Sequence, residues 1–329
     1  MKNILLISMG GTISARGHSR CDLKDYVSGQ LTAEDFLEDI PEIASIANIE
    51  IIQMDNISST QINENHWIQM QEVITHALEK NEFDGVVITH GTNTLEETAY
   101  FLHLTVPTTK PIVLVGAQRP FTAISSDAHI NLLHAIRVAV DPNAHEKGVL
   151  VVANDEISCA REVTKTNTYR LETFQSGQFG YLGFVDPDDT VQFYRSPARL
   201  HTIQSEFAER SYEHMPKIGI IYSYAGANGD LIRQITKEKL YDGLIIAGTG
   251  AGRYSPDEDQ ALEEAVHNGI IVVRGSRVGN GRVVAMNHYN RYPSVCADNL
   301  IPQKARILLM LAMTAYSDPA SIQTIFNTY

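Results

Sequence analysis

Seven short, unbroken apolar runs rich in Val and Ile constrain this chain more than any other feature. They are NILLISM (3–9), GVVITH (85–90), PIVLVGA (111–117), GVLVVAN (148–154), KIGIIYSY (217–224), GLIIAGTG (243–250) and GIIVVRGS (269–276). Such runs, bounded by Gly or Pro and lacking a polar alternate face, fit strands covered on both sides. Helical patterns lie between them: HWIQMQEVITHALEKN (66–81), DAHINLLHAIRVAV (127–140), EDQALEEAVHNG (258–269) and KARILLMLAMTAYS (304–317). The alternation predicts an α/β fold with a mostly parallel sheet flanked by helices. The stretch 186–213 breaks this rhythm, being polar, with two prolines and no clear period. It reads as a connection, which sets an N-terminal α/β domain at 1–190, a linker at 191–213 and a smaller α/β domain at 214–329.

Composition narrows the function classes. A formal charge of −13, from 26 Lys and Arg against 39 Asp and Glu, repels phosphate backbones and argues against nucleic acid as a partner. The three cysteines, Cys21, Cys159 and Cys296, lie far apart, and no CxxC or clustered Cys/His spacing supports a disulfide framework or a metal site. No apolar run is long enough to span a membrane. The opening MKNILLISMGGTIS has too short an apolar run for a secretion signal and reads as a first buried strand. A reducing, cytoplasmic setting is expected.

In parallel sheets, ligands gather at the carboxyl ends of the strands. MGGTIS (9–14) and THGTNT (89–94) follow two such strands, and AQRPFTAISSDAH (117–129) follows a third. In GGT, Gly11 lets a ligand approach the main chain, and Thr12 beside it is a candidate nucleophile. A structural turn is the competing reading, and without GxGxxG or GK[ST] nucleotide binding has little support. In THGTNTLEET, Thr94 and Glu97 form a plausible capping box, while Glu96 and Glu97 suit the positive end of a helix. Capping leaves Thr92 and Gly91 unexplained. Lys165, in REVTKTNT, is either a solvated charge or a group that activates a threonine hydroxyl.

Together, GGTIS, VVITHGTNTLEETAYFL, GAQRP, NDEISCAREVTKTNT and PQKARILLMLA…IQTIFNTY resemble the bacterial L-asparaginase/glutaminase family, in order and over essentially the whole chain. The resemblance implies a two-domain, threonine-nucleophile amidohydrolase with no cofactor. It also implies a homotetramer, a dimer of dimers whose sites are shared between subunits, acting on a small-molecule amide through an acyl-enzyme. By position, Thr12 matches the nucleophile and Tyr26 the tyrosine that closes over it. Thr92 and Lys165 match two members of a polar triad, and Ser59 matches the serine that binds the substrate α-carboxylate.

Several positions depart from the pattern. The third triad member in the family is an Asp that also holds the substrate α-ammonium; here it is Asn93. Thr60 stands where the family commonly has Gln or Glu. Between Arg277 and Asn299 there is no Glu to serve a neighbouring subunit, the approximate match being Met286 to His288. A family Asn aligns with Ala251, two positions before Arg253. The expectation is an amidohydrolase whose substrate keeps a carboxylate and a side-chain amide but has a modified or absent α-amino group, with Arg253 meeting an added substituent. The alternatives are an ordinary L-asparaginase of low activity and a non-catalytic metabolite-binding relative.

Overall fold

The structure, a computed structural model, describes residues 1–329 apart from Asn81, Glu209 and Asn290, and divides into two units, Met1–Arg210 and Ser211–Tyr329. In the first unit the strands are β1 (Lys2–Gly10), β2 (Ala47–Ile57), β3 (Gly85–Thr89), β4 (Ile112–Val115), β5 (Val149–Ala153), β6 (Glu156–Cys159), β7 (Thr164–Lys165), β8 (Phe174–Gln175), β9 (Gly183–Val185) and β10 (Val191–Phe193). Its helices are α1 (Ala33–Asp39), α2 (Glu64–Glu79), α3 (Leu95–Thr105) and α4 (Ala128–Val140).

Eight of these strands form one sheet in the order β10-β9-β6-β5-β4-β3-β1-β2. From β2 to β5 every pairing is parallel. The chain steps from β1 to β2 on one side, then returns to lay β3 on the other. This makes the carboxyl ends of β1 and β3 a topological switch point, where an open sheet leaves a crevice. The expected runs became these strands because they are covered twice. Ile4, Leu6, Val87, Val113 and Leu150 pack with Phe36, Leu132 and Ile136 of α1 and α4. The alternate residues Leu5, Ile7, Val86 and Ile88, on the opposite face, are also fully buried. Helix α3 is buried on nearly its whole circumference, which explains why its sequence lacks a polar stripe.

Beyond β5 the sheet turns antiparallel. Asn154 and Asp155 both adopt positive φ, 55° and 66°, in a two-residue loop that pairs Ala153 with Glu156. This is the primed-turn chemistry that suits a hairpin. Strands β9 and β10 extend this half.

The position of β10 corrects the expected boundary. Val191–Phe193, assigned to a linker from its polarity, is an edge strand in register with β9, and the first unit continues to Arg210. A three-residue edge strand needs little apolar character, so a polar stretch can form one.

The second unit contains β11 (Ile218–Tyr222), β12 (Gly243–Gly248), β13 (Ile271–Ser276) and β14 (Val295–Cys296), all parallel and in that order, with α5 (Asp230–Glu238), α6 (Pro256–His267), α7 (Pro302–Ala312) and α8 (Pro319–Thr328). Ile221, Leu244, Ile246 and Val272 pack with Ile232 and Ile235 of α5 and Leu262 of α6.

Gly183 makes the β9–β10 pairing testable. A Cβ there would lie 1.9 Å from the Gln192 carbonyl oxygen, on backbone that cannot swing aside. Gly183→Ala is expected to release β10, to cost about 1–3 kcal/mol as overpacking does, and to speed proteolysis within 186–200. An unchanged cleavage rate would show that β10 is not held by this contact.

Candidate active site

Three loops converge where β1, β2 and β3 end. Gly10 and Gly11 have φ of 92° and 87°, conformations that disfavour a side chain. A Cβ on Gly11 would fall 2.2 Å from the Gly91 Cα, so the two main chains touch. A Cβ on Gly91 would fall 2.7 Å from Ser59 Oγ. Gly11, Gly91 and Ser59 thereby lock the ends of the three strands together. The Gly11 N–H donates to the Ile57 carbonyl at 2.9 Å and is not free for a ligand. The N–H groups of Thr12 and Thr92 have no hydrogen-bond partner among the described residues.

Thr12 opens a short 3-10 turn, and its hydroxyl lies 3.0 Å from the Tyr26 hydroxyl. The loop bearing Tyr26 is tied down at its far end, where the Gly29 N–H donates to Ser14 Oγ at 3.2 Å and Ser14 Oγ lies 3.2 Å from Asn56 Oδ1.

Across the Gly11–Gly91 contact, Lys165 Nζ donates to Thr92 Oγ1 at 2.8 Å and to Asn93 Oδ1 at 3.3 Å. Thr92 is buried and donates in turn to Gln118 Oε1 at 3.1 Å. Lys165 is delivered by the two-stranded ladder β7–β8, and its backbone N–H donates to Glu96 Oε2 at 2.5 Å. Burial lowers the Lys165 pKa from its ordinary value of 10.5, and the Glu96 carboxylate opposes this. Such an ammonium gives up a proton more readily than a surface lysine.

The Asn93 N–H donates to Ser59 Oγ at 3.2 Å. The Thr94 hydroxyl donates to the Ser59 carbonyl at 2.8 Å and makes no side-chain cap. The expected capping box at Thr94 and Glu97 is therefore absent, because a tertiary partner outcompetes the local one. Thr60 is exposed, with its hydroxyl 3.0 Å from Ser58 Oγ. Arg253 is an exposed residue of the second unit, in a tight turn closed by Thr249. Of the positions singled out in the sequence, Gly11, Thr12, Tyr26, Ser59, Gly91, Thr92, Asn93 and Lys165 form one connected group.

Four contributors owe their roles to tertiary contacts rather than to a local pattern. Gln118 lies within the GAQRP motif, but only its contact with Thr92 gives it meaning. Glu96, expected only to complement the helix end, accepts the Lys165 N–H and so anchors that residue. His90 is buried beneath Gly91, with Nδ1 2.8 Å from the Gly91 carbonyl and Nε2 3.0 Å from Thr98 Oγ1. Trp67 Nε1, a pure donor, reaches the same Thr98 oxygen at 2.9 Å. Thr98 must then donate to His90 Nε2, which leaves Nδ1–H to hold the Gly91 carbonyl.

Among the described residues no group of three or more His, Cys, Asp or Glu side chains could hold a metal ion, and no helix is long and apolar enough to cross a membrane.

The chain is similar to known proteins over essentially its whole length. Residues 3–199 match the family model "Asparaginase, N-terminal", and residues 217–326 match "Glutaminase/Asparaginase C-terminal domain". L-asparaginase 2 of Bacillus subtilis is 40% identical over 329 residues, covering 100% of this chain and 87% of that protein. The probable periplasmic L-asparaginase of Haemophilus influenzae is 40% identical over 331 residues, covering 100% of this chain and 93% of that protein. The crystal structure of a probable cytoplasmic L-asparaginase from Campylobacter jejuni superposes with a TM-score of 0.96 at 38% identity, covering 100% of both chains. The fold and its strand-end crevice thus define an α/β enzyme of the amidohydrolase class. The chain belongs to the asparaginase family.

His90 yields a stability prediction. Burial pushes its pKa from 6.5 down to about 4. Between those values the unfolded chain binds a proton that the folded chain refuses, so stability is lost as pH falls from 6.5 towards 4. The loss is on the order of 3 kcal/mol. His90→Gln, which keeps a donor and an acceptor, should remove most of this dependence in urea melts at pH 6.5 and 4.5. Equal slopes for the two proteins would show that His90 is not the source.

Proposed function

We propose that the protein is an asparaginase-type amidohydrolase that converts a side-chain carboxamide to acid and ammonia. Its substrate is asparagine- or glutamine-like, with an α-amino group that is modified or absent. The observation that carries this reading is the pairing, across the Gly11–Gly91 contact, of the Thr12–Tyr26 hydroxyl pair with the Lys165–Thr92–Asn93 cluster. A binding module would need neither the paired hydroxyls nor a half-buried lysine.

In this reading Thr12 Oγ bonds to the amide carbon. The Thr12 and Thr92 N–H groups receive the negative charge that develops on the carbonyl oxygen. The hydroxyl proton passes through Tyr26 to the departing nitrogen, the C–N bond breaks and ammonia leaves. Water activated beside Thr92 and Lys165 then cleaves the acyl-Thr12 ester and restores the hydroxyl. Ser59, with Gly91 and Asn93, holds the carboxylate end, and the site works without a cofactor. Sites shared between subunits of a tetramer would bring Arg253 of a neighbouring copy within reach of the substituent. A cytoplasmic location goes with the Campylobacter jejuni neighbour, whereas the Haemophilus influenzae relative is described as periplasmic.

The altered substrate rests on lost charge. Asn93 replaces a carboxylate, and the Thr60 hydroxyl is turned towards Ser58. Without a carboxylate there, an ammonium finds no anionic partner at position 93, which disfavours a free ammonium.

Two measurements test the reading. Thr12→Val should lower kcat/KM by about 10⁵–10⁶, as loss of a covalent nucleophile does, and Lys165→Met by about 10²–10⁴, the usual worth of a proton-transfer group, on every substrate. Retention of most activity by either variant would remove that residue from the mechanism. Ammonia release should favour analogues with a modified α-amino group over free L-asparagine and L-glutamine. Preferred turnover of free L-asparagine would make the protein an ordinary asparaginase.

A further inference from the structure

The hydrogen bonds around Lys165 run in one direction. An ammonium only donates, and this one donates to Thr92 Oγ1 at 2.8 Å and Asn93 Oδ1 at 3.3 Å. The Thr92 hydroxyl, with Lys165 already donating to its oxygen, passes its own proton to Gln118 Oε1 at 3.1 Å. Gln118 keeps that orientation because its Nε2 donates to the Arg170 carbonyl at 3.1 Å. At the other end, Asn93 cannot flip, since its NH2 would then confront the ammonium, donor against donor. Asn93 Nδ2 therefore faces away from Lys165. The side chain is exposed at the crevice, and Nδ2 has no hydrogen-bond partner among the described residues. A carboxylate at position 93 would present an acceptor here; the amide presents a donor.

We infer that Asn93 Nδ2 selects substrates whose substituent on the carbon next to the carboxylate carries a hydrogen-bond acceptor, the keto oxygen of an α-oxo or the acyl oxygen of an α-N-acyl ω-carboxamide. This rests on the amidohydrolase reading above and narrows it. Free and N-alkylated amino acids present only N–H donors to Nδ2, and des-amino acids present nothing. A site that offers a hydrogen bond discriminates against a ligand unable to complete it.

The test is ammonia release by the full chain from matched analogues of asparagine and glutamine length: α-N-acetyl, α-oxo, α-N-methyl, free amino and des-amino. The acetyl and oxo compounds should exceed the des-amino compound by about tenfold in kcat/KM, the worth of one hydrogen bond. Release from the des-amino, methyl or free compounds at equal or higher efficiency would overturn the inference while leaving the amidohydrolase standing. Silence on all of them would overturn both. Asn93→Asp, a near-isosteric change at an exposed position, removes the donor. It should collapse the acetyl-to-des-amino ratio to about one or below, with an unchanged thermal midpoint. A ratio that survives the substitution would assign the preference to another group.

Discussion

The close approach of two main chains, Gly11 against Gly91, is the constraint on which the site depends. No side chain fits between them, since a Cβ on Gly11 would sit 2.2 Å from the opposing Cα. That contact fixes the main-chain positions of the neighbours Thr12 and Thr92. Ser59 closes the third side and takes the Asn93 N–H. Strand order makes this possible, because β1 lies between β2 and β3 and all three end on the same edge. Beneath the contact, the chain from Trp67 through Thr98 and His90 holds the Gly91 carbonyl. That support stays neutral at ordinary pH, since His90 does not charge until about pH 4.

Much of the fold was legible because doubly covered strands must be apolar throughout, and the seven runs have no other economical use. What escaped notice obeys a different rule. Strand β2 lies on the sheet edge, and its residues ANIEIIQMDNI interleave polar and apolar side chains. Strands β6, β9 and β10 are four residues or fewer, too short for a pattern to accumulate. The asparagine–aspartate pair at 154–155 was the available clue to the antiparallel half.

The site was legible where its residues fall in motifs after strands, as Thr12, Thr92 and Lys165 do. It was illegible where function depends on a tertiary partner. Gln118, Glu96 and His90 lie within motifs that carry the family resemblance, but their roles exist only through Thr92, Lys165 and Gly91. The Thr94 cap failed for the same reason, since its hydroxyl found the Ser59 carbonyl. Propensity weighs neighbours along the chain, and these bonds span 34 residues or more in several cases, 69 for Glu96 and Lys165.

Lys165 reaches the crevice on a two-residue strand of a small ladder, outside the main sheet, and its main-chain N–H is held by Glu96. The position is therefore an address written in backbone. Whatever side chain stands there is delivered to Thr92 and Asn93 without help from its own chemistry. The side chains of this cluster can therefore be exchanged one at a time on an unchanged scaffold, and the charge the crevice displays is set apart from the backbone that displays it.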